Sequence, residues 1–123
     1  MEPTLHHLPC PETPFAAPHR MAYWQWGDSD AAHAVLCVHG LTRQGRDFDV
    51  LARALVEKSH ELGHKIQIIC PDVVGRGQSD WLDDPMAYQI PTYAADIFAL
   101  FTHLAQELFL MTAELFGQRN PFP

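Results

Sequence analysis

A histidine and a glycine follow an apolar run and provide a backbone turn that suits acyl transfer. Residues 34–38 are continuously apolar, and His39, Gly40 and Leu41 come directly after them. Acyl transfer needs N–H groups aimed at the oxygen that gains charge in the tetrahedral intermediate. Gly40 lets the backbone turn close to a ligand, so the N–H of Leu41 is the candidate donor, supported by His39 and Gly40. Taken alone, the tripeptide fits an ordinary loop after a strand equally well.

A second loop stands in the same relation to a second apolar run. Residues 66–70 read as a buried strand, and the turn that follows contains Asp72, Gly75, Gly77 and Ser79. Together the loops resemble those of the α/β-hydrolase family, particularly bacterial members with a His-Gly-Leu-Thr-Arg loop (here 39–43) and an Asp-x-x-Gly-Arg-Gly-x-Ser-Asp-Trp loop (here 72–81). The resemblance extends over residues 21–104, about two-thirds of the chain.

The resemblance implies an α/β fold and a serine-nucleophile mechanism on small ester or acyl substrates, with no cofactor. It places His39, Gly40 and Leu41 in the oxyanion loop, with the Leu41 N–H as donor. It assigns a structural, turn-shaping role in the second loop to Asp72, Gly75, Gly77 and Ser79. Which substrate is cleaved stays open, because a fold hosts many chemistries.

The catalytic half of the family pattern is missing from this sequence. The family places its nucleophile in a Gly-x-Ser-x-Gly elbow after the helix that starts near Tyr93. No serine follows Ser79, and His103 is the last histidine, so nucleophile, acid and base are all absent. We therefore expect the chain to be inactive alone. It is either a truncated or frameshifted hydrolase or a short non-catalytic interaction module that uses its apolar terminal helix.

A rival metal motif lies between the two loops. His60, Glu61 and His64 match His-Glu-x-x-His, a pattern that holds zinc with two imidazoles on one helical face. Gly63 stands just before the next strand, where a helix would end, so the two histidines need not share a helical turn. We keep these three residues as weak candidates and predict no metal site.

Composition limits the classes of partner and the compartment. The 123 residues carry 15 acidic and 8 basic side chains, a formal charge of −7, without the clustered Lys and Arg of a nucleic-acid surface. The three cysteines are widely spaced and read as reduced thiols. No signal peptide and no apolar run of about 20 residues is present, which predicts a cytoplasmic protein that does not cross a membrane.

The chain divides into three parts. Residues 1–18 carry several prolines and predict a surface arm without a helix or central strand. Residues 19–104 predict an incomplete hydrolase sheet of about three strands, with a crossover helix between the second and third. Residues 105–123 form a divergent segment that extends a long terminal helix with two apolar rows. We predict self-association through this helix and the unpaired sheet edge.

Overall fold

The computed structural model describes the backbone of residues 1–117 and the side chains of residues 1–108. Within this range lie strands β1 (Thr4–Cys10), β2 (His19–Gly27), β3 (Ala34–Leu36) and β4 (Gln67–Pro71), helices α1 (Asp49–Glu61) and α2 (Ile90–Gly117), and 3₁₀ turns at Gly45–Phe48 and Pro85–Ala87.

The strands form one mixed sheet in the order β1-β2-β4-β3. β1 and β2 are antiparallel, as are β2 and β4, whereas β3 and β4 are parallel and joined through α1. A parallel pair needs such a crossover connection, and the continuously apolar runs of the sequence predict it. The α/β class and the incomplete hydrolase-type sheet are confirmed.

The sheet has one strand more than the three expected, because β1 forms inside the proline-rich segment 1–18. Pro9 lies in the ladder opposite Arg20. β1 is at the edge of the sheet, where alternate residues direct their backbone N–H away from β2 and need no partner, so a proline is tolerated. The prolines of this segment exclude a central strand but not an edge strand.

Alternate side chains of the strands pack against a different helix on each face of the sheet. One core contains Met21, Tyr23 and Ile69 and receives Leu100 of α2. The other core contains Trp26, Ile68 and Cys70, which pack against two small side chains of α1, Ala52 and Val56. The helices are therefore fixed on opposite faces, and the loops after β3 and β4 emerge together at one end.

Helix α2 runs without a break through residue 104, the predicted end of the hydrolase segment. Its apolar rows divide between core and surface: Leu100 is fully buried, whereas Phe98 and Phe101 are 70% and 61% exposed. Phe109, Met111, Thr112, Leu115 and Phe116, which continue the predicted rows, have side chains outside the described set. No helix in the described range is long and apolar enough to span a bilayer.

Candidate oxyanion site

The two predicted loops meet at the carboxyl ends of β3 and β4. Because these strands are parallel neighbours, the chain leaves both in the same direction, so His39 and Val73 face each other. Their contact is a hydrogen bond of 2.9 Å in which the Val73 N–H donates to Nε2 of His39. This bond joins the first loop to the second.

Both ring nitrogens of His39 have hydrogen-bond partners inside the fold. Since Nε2 accepts from Val73, the proton of the neutral ring is on Nδ1, which donates to the Gly40 carbonyl at 2.6 Å. The residue is 8% exposed. His39 therefore has no nitrogen available to take a proton from a nucleophile, and its contacts position the turn.

Leu41 has an anchored carbonyl and an unpaired N–H. Its carbonyl accepts a hydrogen bond of 2.8 Å from Nε of Arg76, which belongs to the second loop. No acceptor for the Leu41 N–H occurs among the described residues, and the residue is 54% exposed. The backbone thus presents a donor at the surface while its neighbouring peptide atoms are held in place.

Asp72 is the buried centre of the second loop. Its carboxylate accepts hydrogen bonds from the N–H groups of Gly45 (2.7 Å) and Gln78 (2.9 Å), and a longer one from Nε1 of Trp24 (3.4 Å). With 1% of the residue exposed, these donors replace the water that an ionised carboxylate would otherwise need. One carboxylate therefore fastens both loops to β2.

Two glycines of this loop occupy positions that a side chain cannot. Gly77 has φ +51° and lies so close to Asp72 that an added Cβ would overlap the carboxylate. Gly75 has φ +81°, and a Cβ there would lie 2.7 Å from the ring of Tyr88. The Tyr88 hydroxyl in turn accepts a hydrogen bond of 2.6 Å from the N–H of Leu82. The loop backbone thus packs directly against the side chains of Asp72 and Tyr88.

Ser79, the last serine of the chain, is used inside the fold. Its hydroxyl donates to the Asp72 carbonyl at 2.6 Å and accepts from the Ala22 N–H at 2.7 Å. The residue is 5% exposed. Ser79 thus links the second loop to β2 and presents no hydroxyl to a substrate.

An apolar groove of about 610 Å³ opens beside Leu41, between the β3 edge and α2. Its walls are mostly hydrocarbon, and the sheet edge contributes Val38, which is 48% exposed. The groove is lined by Leu36, Val38, His39, Gly40, Leu41, Val73, Ile90, Tyr93, Ala94, Ile97, Phe98 and Phe101.

The weak zinc candidates do not form a cluster. Helix α1 ends at Glu61, and Gly63 turns the chain away with φ +76°, so His60 and His64 do not lie on one helical face. His60 instead contacts Asp28 on the surface, at 3.1 Å between Nε2 and Oδ2.

A different cluster, which the sequence did not reveal, lies where β1 ends and β2 begins. Nε2 of His19 lies 2.7 Å from Oδ2 of Asp96, and the thiol of Cys10 is beside them. His19 reads in sequence only as a residue at the start of a strand. The pairing of Cys10 with His19 across β1 and β2 would have indicated the cluster, but the sequence did not predict β1.

The comparisons with known proteins agree with this architecture. A solved structure from Rickettsia typhi superposes with a TM-score of 0.67 over 83% of the chain, at 28% identity. An α/β hydrolase from Novosphingobium aromaticivorans superposes over 95% of the chain with a TM-score of 0.60, also at 28% identity. The chain has a partial α/β-hydrolase fold.

The partial hydrolase fold also has a curated relative. The chain is 45% identical over 89 residues, 72% of its length, to a 3-hydroxybutyrate-oligomer hydrolase from Cupriavidus necator. It spans 28% of that relative's length, and 36% and 40% of the two solved chains. No family model matches the sequence.

Proposed function

We propose that the chain is the oxyanion-donor part of a serine-type ester hydrolase acting on short 3-hydroxybutyrate oligomers, and that it has no turnover by itself. The Cupriavidus necator relative supports the substrate class, and the geometry of the site supports the role. His39, Gly40 and Leu41 form the oxyanion loop, and Asp72, Gly75, Gly77 and Ser79 hold the second loop in shape. The cytoplasmic location and the boundaries after residues 18 and 104 stay predictions.

The unpaired N–H of Leu41 is the observation that carries the proposal. An oxyanion donor must be free in the absence of substrate and already fixed in direction, since preorganised dipoles stabilise charge without a reorganisation cost. The Leu41 N–H meets the first requirement, because no described residue accepts from it. The bonds of His39 to Val73 and of the Leu41 carbonyl to Arg76 meet the second.

The groove beside this donor supports a fragment rather than a self-sufficient short protein. β3 pairs only with β4 in the described sheet, so its other edge has free N–H and C=O groups next to apolar walls. A further strand would satisfy both needs by adding to the β3 edge and filling the groove. In the proposal, that strand and the nucleophile belong to hydrolase sequence beyond these 123 residues.

A chimera tests the proposed role. The matching segment of the Cupriavidus necator hydrolase is replaced by this chain's residues, and hydrolysis of 3-hydroxybutyrate oligomers is measured. We expect the chimera to be active and Leu41→Pro, which removes the N–H, to lower kcat by about 10²- to 10³-fold. Leu41→Ala keeps the N–H and is the matched control, with activity near that of the parent.

The 123-residue chain is assayed beside the chimera on the same substrate. We expect no turnover above that of the denatured protein. Turnover that disappears on unfolding would contradict the inactivity of the chain, and a Leu41→Pro chimera as active as Leu41→Ala would contradict the donor assignment.

A non-catalytic interaction module is the second candidate function. It is favoured by the exposed aromatic side chains of Phe98 and Phe101 in α2, which adjoin the sheet edge at Val38. Large contiguous apolar patches mark association sites. Sedimentation should then show a concentration-dependent dimer that Phe98→Ser with Phe101→Ser converts to a monomer. A monomer at all concentrations in the unmodified chain would eliminate this candidate.

A further inference from the structure

The side chains of Cys10, His19 and Asp96 converge from three separate elements. Cys10 ends β1 and His19 begins β2, and the two are direct partners in the antiparallel ladder. Cross-strand partners place their Cβ atoms about 4.5–5.5 Å apart on one face of the sheet. Asp96 reaches the same face from α2, so one ligand atom of each side chain lies within 4.8 Å of the others.

We propose that this cluster is a binding site for a divalent transition-metal ion of the zinc type, ligated by Cys10 Sγ, His19 Nε2 and a carboxylate oxygen of Asp96. Thiolate, imidazole and carboxylate are the side-chain ligands that Zn²⁺ takes in proteins, and three of them leave one position of a tetrahedron open. The mixed set of sulfur, nitrogen and oxygen suits zinc better than magnesium or calcium, which prefer oxygen alone.

The second ring nitrogen of His19, Nδ1, makes the hydrogen bond that is typical of a metal-binding histidine. Nδ1 of His19 lies 2.8 Å from the carbonyl of Ala17, to which it donates its proton. Metal-ligating histidines almost always donate their other ring N–H in this way, and the bond fixes the tautomer and the direction of the ring. It directs Nε2 of His19 toward Asp96 and Cys10.

The surroundings of the cluster raise the pKa of two of its three ligands, His19 and Cys10. Burial disfavours a charged His19, but the Ala17 carbonyl and the Asp96 carboxylate outweigh it and raise the pKa of the imidazole. Burial, with the Asp96 carboxylate, raises the pKa of the Cys10 thiol to about 12. Metal binding at this cluster must therefore displace the proton of the Cys10 thiol.

Binding of M²⁺ forms bonds from the metal to Sγ, Nε2 and the carboxylate oxygen, while the S–H bond of Cys10 breaks and its proton leaves to solvent. Two negative ligands and one neutral ligand then balance the dication. Because the bound dication is balanced by its ligands, the site avoids the penalty of burying an unpaired ion.

A path for the ion leads from the surface to the cluster. Cys10 and His19 form part of the wall of an open groove of about 520 Å³, beside Arg20 and Asp80. The three ligands join β1, β2 and α2, so the metal would clamp the edge strand and the long helix to the sheet. This role differs from that of the oxyanion loop, although the cluster lies near it: Arg20, the residue after His19, is hydrogen-bonded to Asp80 of the second loop.

The test is titration of Co²⁺ into the untagged 123-residue chain, followed by visible and near-ultraviolet absorption. We expect one equivalent to bind with a thiolate-to-cobalt charge-transfer band, and the band to disappear in Cys10→Ser. Asp96→Asn should weaken binding at least about 10-fold, the cost that loss of an outer hydrogen bond already carries in metal sites. His60→Ala, which removes the rival motif, should change neither the band nor the affinity.

A second variant controls for the case in which Cys10→Ser loses the band only because it misfolds. Cys37→Ser combined with Cys70→Ala leaves Cys10 as the single thiol of the chain, and the band should persist in it. Absence of the band from the unmodified chain would overturn the proposal. Its persistence at full strength in a folded Cys10→Ser protein would do the same.

Discussion

Gly77→Ala should destabilise the chain much more than Gly63→Ala, although both glycines have positive φ values of 51° and 76°. A Cβ at Gly63 meets nothing within 4 Å, whereas a Cβ at Gly77 would overlap the carboxylate of Asp72. The pair therefore separates the cost of the left-handed backbone from the cost of displacing a buried carboxylate.

The magnitudes follow from the contacts. A non-glycine residue in the left-handed region costs about 1–2 kcal/mol, and alanine recovers about 0.4–1 kcal/mol by restricting the unfolded chain. We therefore expect a net loss of about 1 kcal/mol for Gly63→Ala. Gly77→Ala must also move Asp72 away from its donors, and one lost hydrogen bond to a charged group adds about 1.5–3 kcal/mol, for a total of roughly 2.5–4 kcal/mol.

Urea unfolding followed by tryptophan fluorescence measures both free energies, with unchanged m-values as the sign that the two-state comparison holds. A double-mutant cycle supplies the control: in an Asp72→Ala background, Gly77→Ala should cost only what Gly63→Ala costs. Equal losses for the two glycine variants would refute the reasoning, as would a Gly77→Ala penalty that does not change when the Asp72 carboxylate is removed.

Four further outcomes are expected in the same chain. Ser79→Ala should lower the free energy of unfolding by about 1–3 kcal/mol, measured in urea, because the buried N–H of Ala22 loses its acceptor. Burial raises the thiol pKa of Cys10 and Cys70 from 9.0 to about 12, so iodoacetamide should label neither at pH 8 until the chain is unfolded. Because the thiols keep their protons more strongly in the folded chain than in the unfolded chain, they stabilise the fold below about pH 9. This contribution should decline as pH rises toward 12, and urea unfolding midpoints measured across that range would show the decline. His60→Ala should change stability by less than about 0.5 kcal/mol, since its pair is exposed.

The part of the fold that sequence predicts well is the part with strong apolar periodicity. The run 34–38, α1 and the run 66–70 define the parallel unit, because buried strands and an amphipathic helix each have a recognisable pattern. β1 was missed since prolines argue against a strand, and whether a strand lies at an edge is decided by its neighbours in the sheet. Periodicity within one segment does not contain that information.

The candidate site likewise has a part that the sequence predicts and a part that it does not. The family resemblance placed His39, Gly40 and Leu41 in one loop and Asp72 in the other, and the structure brings these two loops together. The hydrogen-bond directions could not be obtained from sequence, because the protonated nitrogen of His39 is decided by a donor 34 residues away. The cluster around His19 depends on pairing across 77 residues, between His19 and Asp96, and no local pattern encodes it.

The two hydrogen bonds of His39 affect how an alanine scan of any active hydrolase containing this loop should be interpreted. Replacing His39 would release Val73 and Gly40 and displace the proposed donor at Leu41, so activity would fall as if a general base had been removed. The pH–rate profile distinguishes the cases, because a variant that has lost only the alignment of a donor keeps its acidic limb, which belongs to the true base. A histidine screened by rate alone would be counted among the proton carriers, whereas this one stabilises the turn between two loops.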